Sequence, residues 1–153
     1  MRESFGGAFM IKLVLVFIVV YISFMAVAIN YAKAFRVKNQ VINILEQYKY
    51  KGNIGDEAFI KLNEYLPSVP YNLGDKIEEI SDKCSEQATN LGVKADKAVV
   101  SDYGVCLISM TYDMNDSDVS PRYYMVTTYI AIDFPFFNIS MILPIVGETK
   151  SIY

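Results

Sequence analysis

The sequence of 153 residues contains no histidine and no tryptophan, and it has only two cysteines. Histidine is the commonest general base and the commonest metal ligand, so its absence excludes His-assisted serine and cysteine hydrolases and His-containing zinc sites. Two cysteines are also too few for an all-thiolate zinc site. We therefore expect a protein that is not an enzyme and that holds no metal ion and no cofactor.

Positive charge is also scarce. Lys and Arg number 14 against 17 Asp and Glu, a net charge of −3 without the basic face that nucleic-acid binding requires. Residues 1–40 contain five basic groups and one acidic group, whereas residues 41–153 contain nine basic and 16 acidic groups. The length and this asymmetry predict a basic, apolar N-terminal segment joined to one small acidic domain, with no nucleic-acid partner.

A long uncharged run lies near the N-terminus, from Leu13 to Ile29 (LVLVFIVVYISFMAVAI). As a helix, residues 8–30 would be about 34 Å long, and the hydrocarbon core of a bilayer is about 30 Å thick. The run is apolar on all sides, whereas a helix of a soluble domain would have a polar stripe. The sequence therefore predicts a transmembrane helix over residues 8–30, after a short leader or cytoplasmic segment of residues 1–7.

A cleaved secretory signal is the alternative, since Ala26-Val27-Ala28 has the small-x-small form of a cleavage site. The apolar region of such signals is only about 7–15 residues long, shorter than this run. The following stretch, Tyr31–Tyr48, contains neither Gly nor Pro and has apolar residues at helical spacing. We expect one helix of about 40 residues that continues from the membrane into an amphipathic extension, residues 31–50.

The domain of residues 51–153 begins with helical patterns. Gly52 and Gly55 interrupt the long helix, and Asp56 is a candidate cap for a short helix ending near Pro67. A second helix is predicted from Asp75 to Gly92, with Glu78 completing a capping box.

The C-terminal part changes to a period of two. Three strands are predicted, over Lys97–Asp113 with an interruption near Gly104, over Arg122–Phe134, and over Ile139–Tyr153 with Pro144 marking an edge or a bulge. The expected fold class is α+β, a long N-terminal helix packed on a small antiparallel sheet. The amphipathic half of the long helix and the helix with Cys84 are the candidates to cover the sheet.

The order of these parts resembles the type IV pilin-like proteins, and among them the TadE-like pseudopilins of tight-adherence systems. A short leader ends in Gly6-Gly7, an apolar helix and its amphipathic extension follow, and a small sheet ends the chain. The stretch 125–152, MVTTYIAIDFPFFNISMILPIVGETKSI, is similar to the TadE-like ending, with a strand, a turn with proline, a hydrophobic strand and a Gly-x-Thr. The resemblance covers residues 1–50 and about 120–153.

The resemblance implies cleavage by a prepilin peptidase after Gly7, which would make Ala8 the new N-terminus. Members of the family have a Glu at the fifth residue of the mature chain, where it neutralises the N-terminal amine of a neighbour. Lys12 occupies that position here, a departure that would repel the amine. Either Lys12 contacts a carboxylate on a different subunit, or it extends to the cytoplasmic interface of an unprocessed chain.

The resemblance implies a structural, minor subunit of an extracellular type IV-like or Tad-like pilus or of its assembly complex. Its partners would be the bacterial cell membrane, other pilin-like subunits, the prepilin peptidase and the assembly platform. The expected topology is single-pass, with a cytoplasmic N-terminus and an extracytoplasmic C-terminal domain. A membrane-anchored extracytoplasmic binding module that works alone is the alternative function.

Two further patterns have a chemical and a structural interpretation. Cys84 and Cys106 lie on a predicted helix and a predicted strand, where an oxidising exterior favours a disulfide over two buried free thiols. The acidic turn at residues 113–118 (DMNDSD) has alternating oxygen ligands, but it lacks the glycine and the final glutamate of a calcium-binding EF-hand loop. We expect a solvated turn there.

Overall fold

A computed structural model describes residues 2–69, 76–92, 95–111, 122–134 and 139–152 of the chain. It contains a long N-terminal helix packed on a small antiparallel sheet, which confirms the predicted α+β class. A 3₁₀ turn, Leu66–Ser68, follows the second helix. The helices and strands are α1 (Arg2–Gln47), α2 (Glu57–Tyr65), α3 (Ile77–Leu91), β1 (Ala95–Val100), β2 (Val105–Thr111), β3 (Arg122–Phe134) and β4 (Ile139–Glu148).

Helix α1 is continuous through the apolar run and its amphipathic extension. No glycine or proline occurs between Ala8 and Lys51, so nothing in the sequence interrupts the backbone hydrogen bonds of the helix there. The helix also includes the segment predicted as a leader, because it begins at Arg2. It ends just before Lys49, whose φ of 47° lies in the left-handed region.

The sheet has four strands in the order β1-β2-β3-β4, all antiparallel, one more than predicted. The first predicted strand is divided at Gly104, where φ is 73° and the backbone N–H donates to the carbonyl of Ser101 at 2.9 Å. The predicted interruption is therefore a hairpin turn. Pro144 lies on the edge strand β4, as expected of a residue that has no N–H to donate.

Helices cover both faces of the sheet. Residues of α1 and α2 pack with Leu107 and Val126 on one face, whereas Ile80 and Cys84 of α3 pack with Ile108 on the other. Alternate residues of β2 and β3 face opposite helices, so both strands are apolar on both sides. The long helix approaches the sheet closely at Gly147, where an added Cβ would lie 2.9 Å from Ile42 Cδ1.

Two predicted helix caps differ from the structure. Asp56 occupies the N-cap position of α2, but its carboxylate accepts hydrogen bonds from the backbone N–H groups of Lys51 and Asn53, at 2.8 and 3.2 Å. It therefore closes the loop before the helix rather than the first helical turn. Helix α3 begins with Lys76 at the N-cap position, and the predicted cap at Asp75 lies outside the described residues.

Tyr50 joins the end of α1 to the sheet and to α2. Its ring centroid lies 4.9 Å from that of Tyr124 and 6.4 Å from that of Phe59, and the residue is 2% exposed. The hydroxyl of Tyr50 has no hydrogen-bond partner among the described residues. Burial, reinforced by the nearby Tyr124 and Asp56, raises the pKa of Tyr50 to about 12.

This raised pKa predicts alkaline sensitivity. The folded state retains the phenolic proton more strongly than the unfolded chain, whose pKa is about 10. The stabilisation is therefore complete below about pH 10 and is lost as the pH rises towards 12, by up to about 3 kcal/mol. Urea unfolding of the detergent-solubilised chain at pH values from about 9 to about 12, which bracket the two pKa values, measures this loss.

Tyr50→Phe is the matched variant, because it keeps the ring and removes the ionisable hydroxyl. We expect its free energy of unfolding to fall less steeply with pH, although not to be flat, since burial also raises the pKa values of Tyr65 and Tyr129. Identical pH profiles for the two proteins would contradict the assignment to Tyr50.

Candidate functional site

The N-terminal half of α1 is an apolar surface that the rest of the chain leaves uncovered. Phe24 is 71% exposed and Phe9 is 67% exposed. In the part of the chain that the structure describes, one helical stretch, Gly7–Gln47 of α1, is long and apolar enough to cross a membrane. None of its 18 most apolar consecutive residues is buried. The large exposed apolar residues of this half, called here the uncovered half of α1, are Phe9, Met10, Ile11, Leu13, Val14, Leu15, Val16, Phe17, Ile18, Val20, Tyr21, Ile22, Phe24, Met25, Ile29 and Tyr31.

An apolar surface this large requires an apolar environment, because soluble monomers rarely expose more than a small patch. The one described polar side chain near its middle, Ser23, donates its hydroxyl proton to the carbonyl oxygen of Val19 at 2.9 Å. That bond lies within the helix, so it persists in lipid and leaves no unpaired donor. The helix is consistent with a single-pass membrane anchor.

The outer half of α1 has a different role, because one of its sides is buried against the sheet. Ala34, Val37 and Val41 are at most 1% exposed. Lys38 belongs to the same side and is 8% exposed, with its ammonium 4.3 Å from the centroid of the Phe35 ring. The Thr128 hydroxyl donates to the Ala34 carbonyl at 3.4 Å. The helix therefore changes from uncovered to packed near Ala34.

The residues predicted for processing and subunit contact all lie on the uncovered half or just before it. Gly7 and Ala8 are within the helix, and an added Cβ at Gly7 would meet no atom within 4 Å. Lys12 is exposed, and it forms no ion pair with any side chain that the structure describes. Gly7, Ala8 and Lys12 are thus accessible, and their roles stay predictions.

The predicted disulfide is present. Cys84 of α3 and Cys106 of β2 are bonded, with their Cα atoms 5.8 Å apart, and both residues are fully buried. Helix α3 needs this link because only Ile80 and Cys84 among its 15 residues are fully buried. The cystine therefore holds α3 on the sheet face that α1 does not cover.

Gln87 makes a second connection between α3 and the sheet, one that sequence reasoning missed. Its amide oxygen accepts hydrogen bonds from the hydroxyls of Thr127 and Tyr129, at 3.2 and 3.4 Å. Its amide nitrogen lies 3.4 Å from the sulfur of Met125. A single glutamine in an amphipathic helix carries no sequence signal that distinguishes it from a solvent-facing one.

An open groove of about 460 Å³ lies beside this network, between α3 and β4, where Ile142 and Pro144 line it opposite Asn90. Its lysine, Lys83, pairs with Glu79 at 3.1 Å on the surface of α3. Within the described ranges, no group of three or more His, Cys, Asp and Glu side chains could hold a metal ion. The acidic turn with Asp113, Asn115, Asp116 and Asp118 lies outside those ranges.

Comparison with known proteins finds no matching family model, no similar curated protein and no similar solved structure.

Loss of the cystine is expected to destabilise the domain by roughly 3 kcal/mol, the usual value for a bridge that closes a loop of about 20 residues. In a chain with Cys84→Ser and Cys106→Ser, the amides of α3 should exchange with solvent much faster, whereas those of α1 from Ala34 to Leu45 should change little. Hydrogen exchange read by mass spectrometry measures both regions. Equal acceleration in both would contradict a local role, and free thiols in the oxidised native protein would contradict the bridge.

Proposed function

We propose that the protein is a minor structural subunit of an extracellular type IV-like or Tad-like filament, or of its assembly complex. One observation carries this proposal: a single continuous helix has an uncovered apolar half and an outer half that packs on a sheet. The uncovered half is then available to pack among other apolar helices, and the domain is joined to it by continuous helix.

The chemistry of the uncovered half suits both a bilayer and a bundle of helices. Leu, Val, Ile and Phe side chains gain similar van der Waals contacts from lipid tails and from neighbouring helices. Transfer of α1 from lipid to a filament core would therefore leave no apolar surface in water. The absence of Gly and Pro from residues 8–51 supports transfer as one rigid element.

Lys12 is the charged group that such a transfer would bury in an apolar environment. An unpaired charge in an apolar core is strongly unfavourable, so the ammonium needs an anionic partner there. Within the resemblance to pilins, Lys12 occupies the fifth place after cleavage at Gly7, where a Glu would bind the amine of an identical neighbour. Lys12 instead fits a carboxylate on a different subunit, which makes this chain a minor component of a mixed assembly.

The second candidate function is a solitary binding module held on the membrane by the same helix. The exposure of Lys12 favours it, because a lysine near the end of a transmembrane segment reaches the interface at low cost and needs no partner. This function shares the membrane anchor with the filament proposal and differs from it in having no helix-packing partners.

The proposed topology has a cytoplasmic N-terminus and an extracytoplasmic domain. The fully buried cystine supports it, because disulfides persist in oxidising compartments. We predict that a cysteine replacing Asn53 reacts with a membrane-impermeant thiol reagent in intact cells, whereas one added before Phe9 does not. The reverse labelling pattern would overturn this orientation.

The assembly proposal is tested by charge reversal. Lys12→Glu should abolish incorporation into a surface filament alongside native partners and leave membrane insertion intact, because the partner carboxylate would then face a like charge. Arg36→Glu is the matched control, since it reverses an exposed charge on the same helix outside the uncovered half. Fractionation of sheared filaments and membranes measures both quantities.

Photo-cross-linking from Val16 and Val20 provides an independent measure of helix packing. Both side chains are exposed, at 63% and 43%, so a probe there reaches whatever surrounds the helix. We expect capture of other pilin-like chains. Capture of lipid alone, together with an unchanged filament in Lys12→Glu, would favour the solitary module.

A further inference from the structure

The end of the sheet formed by the β3–β4 hairpin descends along α1 towards its uncovered half. Strand β3 begins beside the C-terminal end of the helix, where the Arg122 guanidinium donates to the Lys51 carbonyl at 3.3 Å. Six residues later the Thr128 hydroxyl contacts Ala34. Strand β3 therefore runs down the helix as the residue numbers of α1 decrease.

The descent continues past Ala34. Ile130 and Ile132 form a buried cluster with Ala34, and Val27 packs against that cluster. Four residues of strand separate Thr128 from Ile132, about 13 Å, and seven residues of helix separate Ala34 from Val27, about 10 Å. The pair formed by Ile132 and Met141 thus lies near the level of Val27, and two further residue pairs extend the strands beyond it.

The length of the helix fixes where this level lies relative to a bilayer. Only 20 uncharged residues separate Lys12 from Lys33, and they span about 30 Å, the thickness of the hydrocarbon core. Because Lys12 can extend to the inner interface, residues 8–27 also span about 30 Å, and this placement puts Val27 at the outer boundary of the hydrocarbon core. The level of Ile132 and Met141 then coincides with the headgroup region, and raising the hairpin clear of the membrane would withdraw further turns of α1 from lipid and leave a span that is too short.

The described surface at this level is apolar. Met141 is 47% exposed and Leu143 is 38% exposed, and both lie on the same side of the sheet as Ile130 and Ile132, with which they pair. On the helix, Phe24 and Ile29 are exposed at 71% and 54%. The described helix and hairpin residues named here are therefore apolar and exposed to whatever surrounds the anchor.

We propose that the end of the β3–β4 hairpin is a second membrane contact, inserted among the lipid headgroups beside the transmembrane helix. Strand β4 is an edge strand, and its outward N–H and C=O groups need water or headgroups as partners, which prevents entry into the hydrocarbon core. The hairpin sets the depth and the orientation of the domain on its anchor.

The proposal rests on the membrane anchor of the proposed function, and the experiment separates the two. The chain contains no tryptophan, so each substitution introduces a single tryptophan, which is excited at wavelengths that the tyrosines do not absorb. The full chain, in vesicles of phosphatidylethanolamine and phosphatidylglycerol, is compared as Met141→Trp, Leu143→Trp, Ile22→Trp and Ile60→Trp. Ile22 lies near the middle of the uncharged run, and Ile60, on α2, is 57% exposed and is the control for water.

We expect Met141→Trp and Leu143→Trp to emit at shorter wavelength than Ile60→Trp. Lipids with a spin label just below the headgroup should quench them, and iodide in the buffer should quench them less than it quenches Ile60→Trp. Ile22→Trp should respond to labels near the ends of the acyl chains. All four substitutions are at exposed side chains, and formation of the native cystine checks the fold of each variant.

Iodide quenching of Met141→Trp and Leu143→Trp as strong as that of Ile60→Trp would overturn the hairpin contact, while shielding of Ile22→Trp would preserve the anchor. Protection from both iodide and labelled lipid would also overturn it, because a second protein chain would then cover the surface. Iodide access to Ile22→Trp would instead contradict the anchor itself.

Discussion

One rigid helix has to satisfy two environments, and the contact between its outer half and strand β3 determines where the first ends and the second begins. N-terminal to Ala34 the exposed side chains of α1 require an apolar medium. C-terminal to Ala34 one side of the helix is buried against Val126 and Leu107. Because no Gly or Pro lies between the two halves, the distance of the domain from a membrane that holds the uncovered half is fixed by the helix. The height and tilt of the domain follow from the helix–strand contact.

The second layer of the structure depends on a covalent bond more than the first does. Helix α1 places a row of fully buried residues on its face of the sheet, whereas α3 buries only Ile80 and Cys84 completely. The cystine compensates for this small apolar area by constraining the unfolded chain. Gln87 adds directional hydrogen bonds to β3, which fix the helix on the sheet beyond the point where the cystine acts.

The long helix and the main strands could be predicted from sequence because each has a period that only one structure satisfies. An uncharged run of 17 residues without Gly or Pro, from Leu13 to Ile29, has no strand interpretation, and Arg122–Phe134 is rich in β-branched and aromatic residues. The cystine could be predicted because two cysteines have only one pairing. Its position on the sheet face opposite α1 could not, since that depends on tertiary packing.

The missed features are those in which a residue has several local partners available. Asp56 has both a preceding loop and a following helix within reach, and its carboxylate bonds the loop. The sequence around Gly104 is compatible with an interruption or with a turn, because apolar segments flank it on both sides. The amide of Gln87 could face solvent or sheet with the same sequence. In each case the choice depends on contacts with distant parts of the chain.

The hairpin and the anchor bear on the proposed assembly together. A pilin-like subunit that leaves the bilayer transfers its helix to neighbouring helices, but Met141 and Leu143 would leave the headgroup region at the same time. Half-exposed side chains at a wet interface contribute less than fully buried ones, so the helix dominates the cost of extraction. In the proposed filament the hairpin would then require only a shallow apolar neighbour, whereas Lys12 would require a specific carboxylate. Partner choice would therefore be set by the charge near the inner end of the helix rather than by the domain at its outer end.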